Sequence, residues 1–330
     1  MVSKFDRWKK GLALCLCACV FLTAKAFAWD RRLAFSLSHY IMAGVLEQMG
    51  ESEASIREYK KALNIDYKNA AIHLGLALDY LKNNEIPKAV GELNLSIKFD
   101  REAVEPHAIL ALLYFSQNKA DLATEEYEIA LKNAAKLEPG NVDIYKSLGI
   151  VYLRQKKLKD AENTFRLILD LSPNDSEAHF YLANIYDETN NRPAAIEELK
   201  KTLQLKPDYP DALNYLGYID VEENKNLDKA QVMIKKALEL EPENGAYIDS
   251  LGWLYYKQGK FEEALKELKR AAALLDDPVI LDHLGDVYFR LKDVENAKSN
   301  WQKSLKLDPG QQKVREKIEK CSTPINKSKD

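Results

Sequence analysis

Residues 212–275 read ALNYLGYIDVEENKNLDKAQVMIKKALELEPENGAYIDSLGWLYYKQGKFEEALKELKRAAALL, and they carry one pattern twice. Leu216-Gly217 opens the first copy and Leu251-Gly252 opens the second, 35 residues further on. Each pair is followed by an aromatic residue (Tyr218, Trp253), then an alanine (Ala230, Ala264), then an Ala-Leu or Ala-Ala step (Ala237, Ala271). Pro242 stands between the copies. Self-similarity at this period predicts a stacked helical repeat, in which each copy buries its apolar face only against its neighbours.

Working outward, the same register extends to eight units that start at Ser36, Ala70, Val104, Val142, Ser176, Pro210, Gly245 and Pro278. The steps between them are 34, 34, 38, 34, 34, 35 and 33 residues. The four extra residues fall around 132–140 and the single extra one near Lys225-Asn226-Leu227. Position 7 is large and apolar (Leu76, Leu110, Leu148, Leu182, for example), and position 8 is Ala or Gly throughout. Position 11 is tyrosine in six units, position 20 is alanine in six, and position 24 is bulky in all: Tyr59, Leu93, Tyr127, Phe165, Leu199, Ile234, Leu268 and Trp301. Positions 4, 7, 8 and 11 share one helical face, and positions 20, 24 and 27 share another. Each unit is therefore a pair of amphipathic helices. A small position 8 lets the two backbones approach, and positions 7, 11 and 24 fill the space between. Pro173, Pro207, Pro242 and Pro309 end second helices, because proline has no amide hydrogen for the ladder.

This pattern closely resembles the tetratricopeptide repeat: a small residue at 8, an aromatic at 11, alanine at 20 and 27, proline at 32. The resemblance covers residues 36–310 and implies an all-α fold, a right-handed α-solenoid of about eight helix pairs. Residues 311–321, QQKVREKIEKC, read as a capping helix with Val314 and Ile318 inward, and residues 322–330 as a disordered tail.

The amino terminus reads as an address. Residues 1–10 are basic, residues 11–23 are an uncharged apolar run, and Ala24, Ala26 and Ala28 offer small-residue exits. That is the layout of a secretory signal peptide over 1–28, followed by a short leader over 29–35. The apolar run of 13 is short for a membrane span, which takes roughly 20 residues. Leu16-Cys17-Ala18-Cys19 also resembles a lipobox, with Cys19 as the lipidated residue, and an uncleaved signal-anchor is the third reading. All three place the body outside the cytoplasm, periplasmic or membrane-anchored and facing the periplasm. Only Cys321 lies outside the signal, so packing alone must hold the fold. Five cations (Lys4, Arg7, Lys9, Lys10, Lys25) against Asp6 give the first 28 residues +4, and the total of −3 leaves the remainder at −7. An acidic body argues against nucleic acid as a partner.

No motif supports catalysis. His39, His73, His107 and His179 all fall at position 4, one repeat apart, too far for a shared metal; they read as half-buried packing residues. No paired cysteines, no His-x-x-x-His and no glycine-rich phosphate loop are present. The expectation is a non-enzymatic scaffold that needs no cofactor and no metal.

In the family this chain resembles, positions 2, 5, 9 and 12 line a concave groove. The resemblance implies an apolar groove in units 2–4 (Leu74/Leu78, Ala108/Leu112 with Phe115, Lys146/Ile150 with Leu153). In units 5–8 it implies Phe180, Asn184, Asn214, Tyr218, Asp249, Trp253, Tyr256, Asp282, Asp286, Phe289 and Arg290. The asparagines can bond a peptide backbone as donor and acceptor. The three aspartates would favour a basic partner. Trp253, Tyr256 and Phe289 are either anchors for a ligand or packing between neighbouring first helices. Relatives that clamp a terminal carboxylate carry Lys at 5 and Asn at 9, a pair no unit here has. The expected role is a protein-interaction scaffold of the bacterial envelope that binds a peptide or helix; the alternative is a lipid-anchored assembly factor for pili or outer-membrane proteins.

Overall fold

The computed structural model describes residues 31–322, and every regular element among them is an α-helix. The signal and Cys19 lie outside the described residues, as does the tail beyond Ser322. Within the described residues helix α1 runs over 31–48, so residues 31–35, read as a leader, are already helical. Arg31–Phe35 contains neither proline nor glycine, so nothing delays the helix. The first helices of the other units begin within a residue of the register: α3 (Ala70–Lys82), α5 (Glu105–Ser116), α7 (Val142–Arg154), α9 (Ser176–Glu188), α11 (Pro210–Glu222), α13 (Gly245–Lys257) and α15 (Pro278–Arg290). The second helices are α2 (Ser52–Ile65), α4 (Ile86–Phe99), α6 (Ala120–Leu137), α8 (Leu158–Leu171), α10 (Arg192–Leu205), α12 (Leu227–Leu240), α14 (Phe261–Leu274) and α16 (Val294–Leu307). Helix α17 (Gln312–Ser322) follows, with Val314 buried against Ala297 and Trp301.

Local chemistry sets these boundaries. Asn69, Asn141, Asp175, Asn244 and Asp277 accept hydrogen bonds from amides in the first turns of α3, α7, α9, α13 and α15. Helices α8, α10, α12 and α16 each stop two residues before their proline. Position 15 is left-handed in all eight units: Gly50, Asn84, Asn118, Lys156, Asn190, Asn224, Gly259 and Lys292. This reverses the chain between the two helices of a pair, and asparagine and glycine accept that conformation best. The four extra residues in unit 3 become one more helical turn, making α6 18 residues long where its counterparts have 14. The single extra residue in unit 6 is absorbed by a second left-handed residue, Asn226.

The chain divides into two compact units at Gln155/Lys156, within the fourth pair. In both, position 8 lies against position 24 or close to it. A Cβ on Gly252 would come within 2.6 Å of Leu268, and one on Gly217 within 2.9 Å of Ile234. Gly285 admits the Trp301 indole, which any side chain there would strike.

The position-4 histidines do more than fill space. His39, His73, His107 and His179 each place Nδ1 2.5–2.6 Å from a glutamate 19 residues later: Glu58, Glu92, Glu126 and Glu198. Each pair ties the first helix of a unit to its second. Reading these histidines as half-buried packing residues leaves out the glutamate, because the pair spans two helices, where no short motif exposes it.

Candidate functional site

Two surfaces deserve comparison, one in each compact unit. In residues 156–322, the groove positions of successive first helices come together, and most find partners within the chain. Asn184 Nδ2 donates to the Phe180 carbonyl at 3.0 Å, within its own helix. Phe180 stacks on Tyr209 at 5.0 Å. Trp253 is 8% exposed; its Nε1 donates to Glu222 at 2.6 Å, and its ring lies flat against Tyr256 (4.5 Å) and His283 (4.0 Å). This is packing between the neighbouring first helices α13 and α15. Arg290 rests on Phe261, 4.4 Å from the ring centroid, and reaches Tyr256. Phe289 stays exposed at its far end, beside Trp301.

The aspartates also differ from expectation. Asp249 is 2.9 Å from Nδ1 of the buried His283. Asp282 and Asp286 both hold Lys317 of α17 at 2.7 Å, and Asp286 accepts from the Trp301 indole at 3.1 Å. The acids read as open to a basic partner are therefore engaged by cations of this chain. Burial opposes a charged imidazole at His283, but the charge and hydrogen bond of Asp249 outweigh it, so its pKa lies above the ordinary histidine value. Burial pushes the Tyr218 hydroxyl well up, helped by Glu222 and Asp249. Asn214 Oδ1 is buried without a partner among the described residues.

Glu222, His283 and Lys317 are central here and were not expected. One signal could have found two of them. A position-5 acid is followed one repeat later by a position-6 cation, as in Asp249 to His283 and Asp282 to Lys317, 34 and 35 residues on.

In residues 31–155 the corresponding surface is open. Helices α5, α6 and α7 border a cleft of about 710 Å³, lined by Leu112, Phe115, Tyr127, Ile150 and Val151, with Thr124, Ser147 and Arg154 as its polar rim. Leu112 is 70% and Phe115 73% exposed. Tyr127 lines the same cleft and is itself exposed. Every other position-24 side chain is at most 3% exposed, whereas Tyr127 is 42% exposed although it occupies the same place in its helix. The ring of Tyr59 is received by Gly75, where a Cβ would come within 2.6 Å, and that of Trp301 by Gly285. Tyr127 lines the cleft together with Ala111 at position 8 and Ser147 at position 6 of the next helix, and neither position holds a glycine. The expectation that position 24 fills the inter-helix gap throughout fails in this one unit. The lining holds one cation and no carboxylate. Among the described residues, no group of three His, Cys, Asp or Glu side chains could hold a metal ion.

Paired helices of one register, with small residues where backbones meet, define a helical repeat protein. Tetratricopeptide repeat profiles match residues 37–69, 110–176, 153–216, 221–282 and 280–311. The chain belongs to the tetratricopeptide repeat family, whose members generally mediate protein–protein interaction. It is 24% identical over 251 residues to the human protein O-mannosyl-transferase TMTC1, a match covering 75% of this chain and 26% of that one. It is 31% identical over 116 residues to an uncharacterized protein of Haemophilus influenzae, covering 35% of this chain and 62% of the other. The chain spans only 26–36% of the length of the first curated relatives it matches. Among solved structures, the APC/C hetero-tetramer Cut9–Hcn1 superposes with a TM-score of 0.58 at 17% identity, over 82% of this chain and 53% of that one. A tetratricopeptide repeat protein of Parabacteroides merdae gives 0.56 at 15% identity, over 77% and 99%. PilW, a type IV pilus biogenesis factor, gives 0.51 at 18% identity, over 65% and 98%. These likenesses speak for the fold.

Proposed function

We propose that this chain is a non-enzymatic scaffold of the bacterial cell envelope, and that it takes an apolar helix or extended segment in the cleft between α5, α6 and α7. The observation that carries this reading is the exposure of Leu112 and Phe115 beside the outward Tyr127, in a chain that buries the corresponding ring elsewhere. Solvent-facing aromatic and aliphatic side chains around a concave floor are what a helix-in-groove contact uses. Arg154 at the rim, with no carboxylate in the lining, favours a partner with an acidic group near its apolar anchors. The row from Asn214 to Phe289 is a weaker second surface, because its aspartates and Trp253 are bonded within the chain. Export rests on the sequence of residues 1–28.

The test is proximity labelling in cells with the full chain, followed by mass spectrometry of captured proteins. Leu112→Asp with Phe115→Asp, both at the surface, should lose a defined subset of partners. Asn184→Ala with Asn214→Ala and Trp253→Ala should keep that subset. If the first variant recovers the wild-type set, the cleft is not the docking surface. Mass spectrometry of the mature amino terminus tests the address: a chain starting at Trp29 means cleavage, and a lipidated Cys19 means an anchor.

A further inference from the structure

Helix α3 carries two buried groups whose surroundings favour a proton, and both stand at its joint with the first helix pair. His73 is one, 6% exposed. Its Nδ1 lies 2.6 Å from Glu92 of α4, and its Nε2 lies 2.9 Å from the carbonyl of Tyr67, in the turn that joins α2 to α3. Both neighbours are acceptors. A neutral imidazole has one N–H, so only an imidazolium satisfies both. Of the four histidines paired with a glutamate 19 residues on, His73 is the one whose second ring nitrogen is also bonded among the described residues. The Phe99 ring of α4 stacks on it at 5.4 Å.

Asp79 is the other. It is fully buried, and neither oxygen has a hydrogen-bond partner among the described residues. The groups around it come from three helices. Glu47 of α1 brings a negative charge, and is itself bonded to the Tyr59 hydroxyl of α2. Lys82 of α3 is the nearby cation, and Glu47 holds it at 2.6 Å. Ser55 of α2 gives its hydrogen to the Ala43 carbonyl at 2.9 Å. The charges that α4 brings to α3 are Glu92, engaged by His73, and Lys88, engaged by Glu85 beside the Tyr80 ring. An ionised Asp79 would be a buried charge without a bond. Burial first, then the Glu47 charge, raises its pKa. At His73 burial opposes the charged form, but the Glu92 and Tyr67 bonds outweigh it, so that pKa is raised too.

We propose that this joint is an acid-tightened clasp: α3 grips the α1–α2 pair firmly while His73 and Asp79 carry protons, and the pair loosens as the surrounding pH rises. Loss of the His73 proton leaves one of its two acceptors, the carboxylate or the turn, without a donor. Loss of the Asp79 proton puts a second negative charge near Tyr59, the ring that keys α2 into α3 at Gly75. Both groups act with the same sign. Each binds its proton more tightly in the folded chain, so each contribution declines as pH rises, from about 3.9 upward for Asp79 and from about 6.5 upward for His73.

Hydrogen–deuterium exchange of the full chain tests the clasp, read by mass spectrometry between about pH 4 and about pH 8.5 and corrected for intrinsic rates. Protection of α2 should fall at least about tenfold across this range. It should fall at least about fivefold further than that of α10, whose brace from His179 has no second acceptor among the described residues. Asp79→Asn keeps the shape and cannot ionise, so it should remove the part of the fall that begins near about pH 3.9. His73→Gln should remove the part above about pH 6.5. Should His73→Gln fail to fold, Asp79→Asn alone decides. Constant protection of α2, an equal fall in α10, or the full wild-type fall in Asp79→Asn overturns the proposal.

Discussion

Tyr127 and Trp301 occupy the same position in units built on one plan, yet one ring points out and the other is fully enclosed. The difference lies in what receives them. Gly285 leaves a slot for the indole, and the ring then bonds Asp286, which also binds Lys317, so a whole cluster assembles around it. Neither Ala111 nor Ser147 is a glycine, and Tyr127 lines an open cleft beside them. Where a glycine at position 8 or at position 6 of the next helix receives the ring, the ring is enclosed; where neither is glycine, it faces out. Apart from the extra turn of α6, the difference lies in the fit between neighbours, because a close-packed interior has little slack.

The carboxy-terminal cluster is most sensitive at His283. His283→Ala leaves Asp249 buried without its partner and removes the ring that Trp253 stacks on, and should cost about 3–5 kcal/mol in denaturant unfolding. The pair also makes stability depend on pH. Its folded pKa lies above the unfolded value of about 6.5, so the folded state holds the proton more tightly. The contribution is fully present below about pH 6.5 and falls away as pH rises through the folded value. A variant whose unfolding midpoint keeps the wild-type slope over this range would show that His283 is not the group responsible.

Gly285→Ala should cost about 1–3 kcal/mol, since Trp301 must move and its bond to Asp286 goes with it. Near-ultraviolet circular dichroism would report the lost indole environment; an unchanged spectrum would mean that the slot does not hold the ring.

In the amino-terminal unit, Asp79 is fully buried and neither of its carboxylate oxygens has a partner among the described residues. Burial raises its pKa, so the folded state binds the extra proton and stability should decline as pH rises above the ordinary aspartate value of about 3.9. Asp79→Asn removes that decline and should stabilise the chain by about 1–2 kcal/mol at pH 7, measured by thermal unfolding at several pH values. The smallest change in energy, under about 1 kcal/mol, is expected for Ala111→Gly. Its effect is geometric: Tyr127 should swing inward and become resistant to nitration, and binding in the cleft should weaken. Undiminished nitration would mean that something other than the position-8 methyl keeps the ring out.

The helix pairs were legible because their period is carried by residues inside each helix. Leu216-Gly217 and Leu251-Gly252 fix position 7 to 8, and the prolines mark second-helix ends. Contacts between helices were less legible. Reading Asp249 as a free acid required ignoring a histidine 34 residues away, and reading Tyr127 as filler required ignoring whether Ala111 or a glycine faced it. The division at Gln155/Lys156 had no composition shift to announce it. The left-handed position 15 was in plain view as a run of Asn, Gly and Lys, but its meaning is conformational and appears only once backbone angles are known.

The braces from His39, His73, His107 and His179 bear on the order in which the chain comes together. Each closes a loop of 19 residues, whereas links such as Asp249–His283 close 34. Shorter closures cost less entropy and form sooner, so a braced pair can fold as a hairpin of helices before its neighbours arrive. Three of the four braces lie in the first three pairs, and unit 5 carries the fourth. Folding should therefore begin from the amino-terminal pairs and from unit 5, with the carboxy-terminal cluster zipped up last.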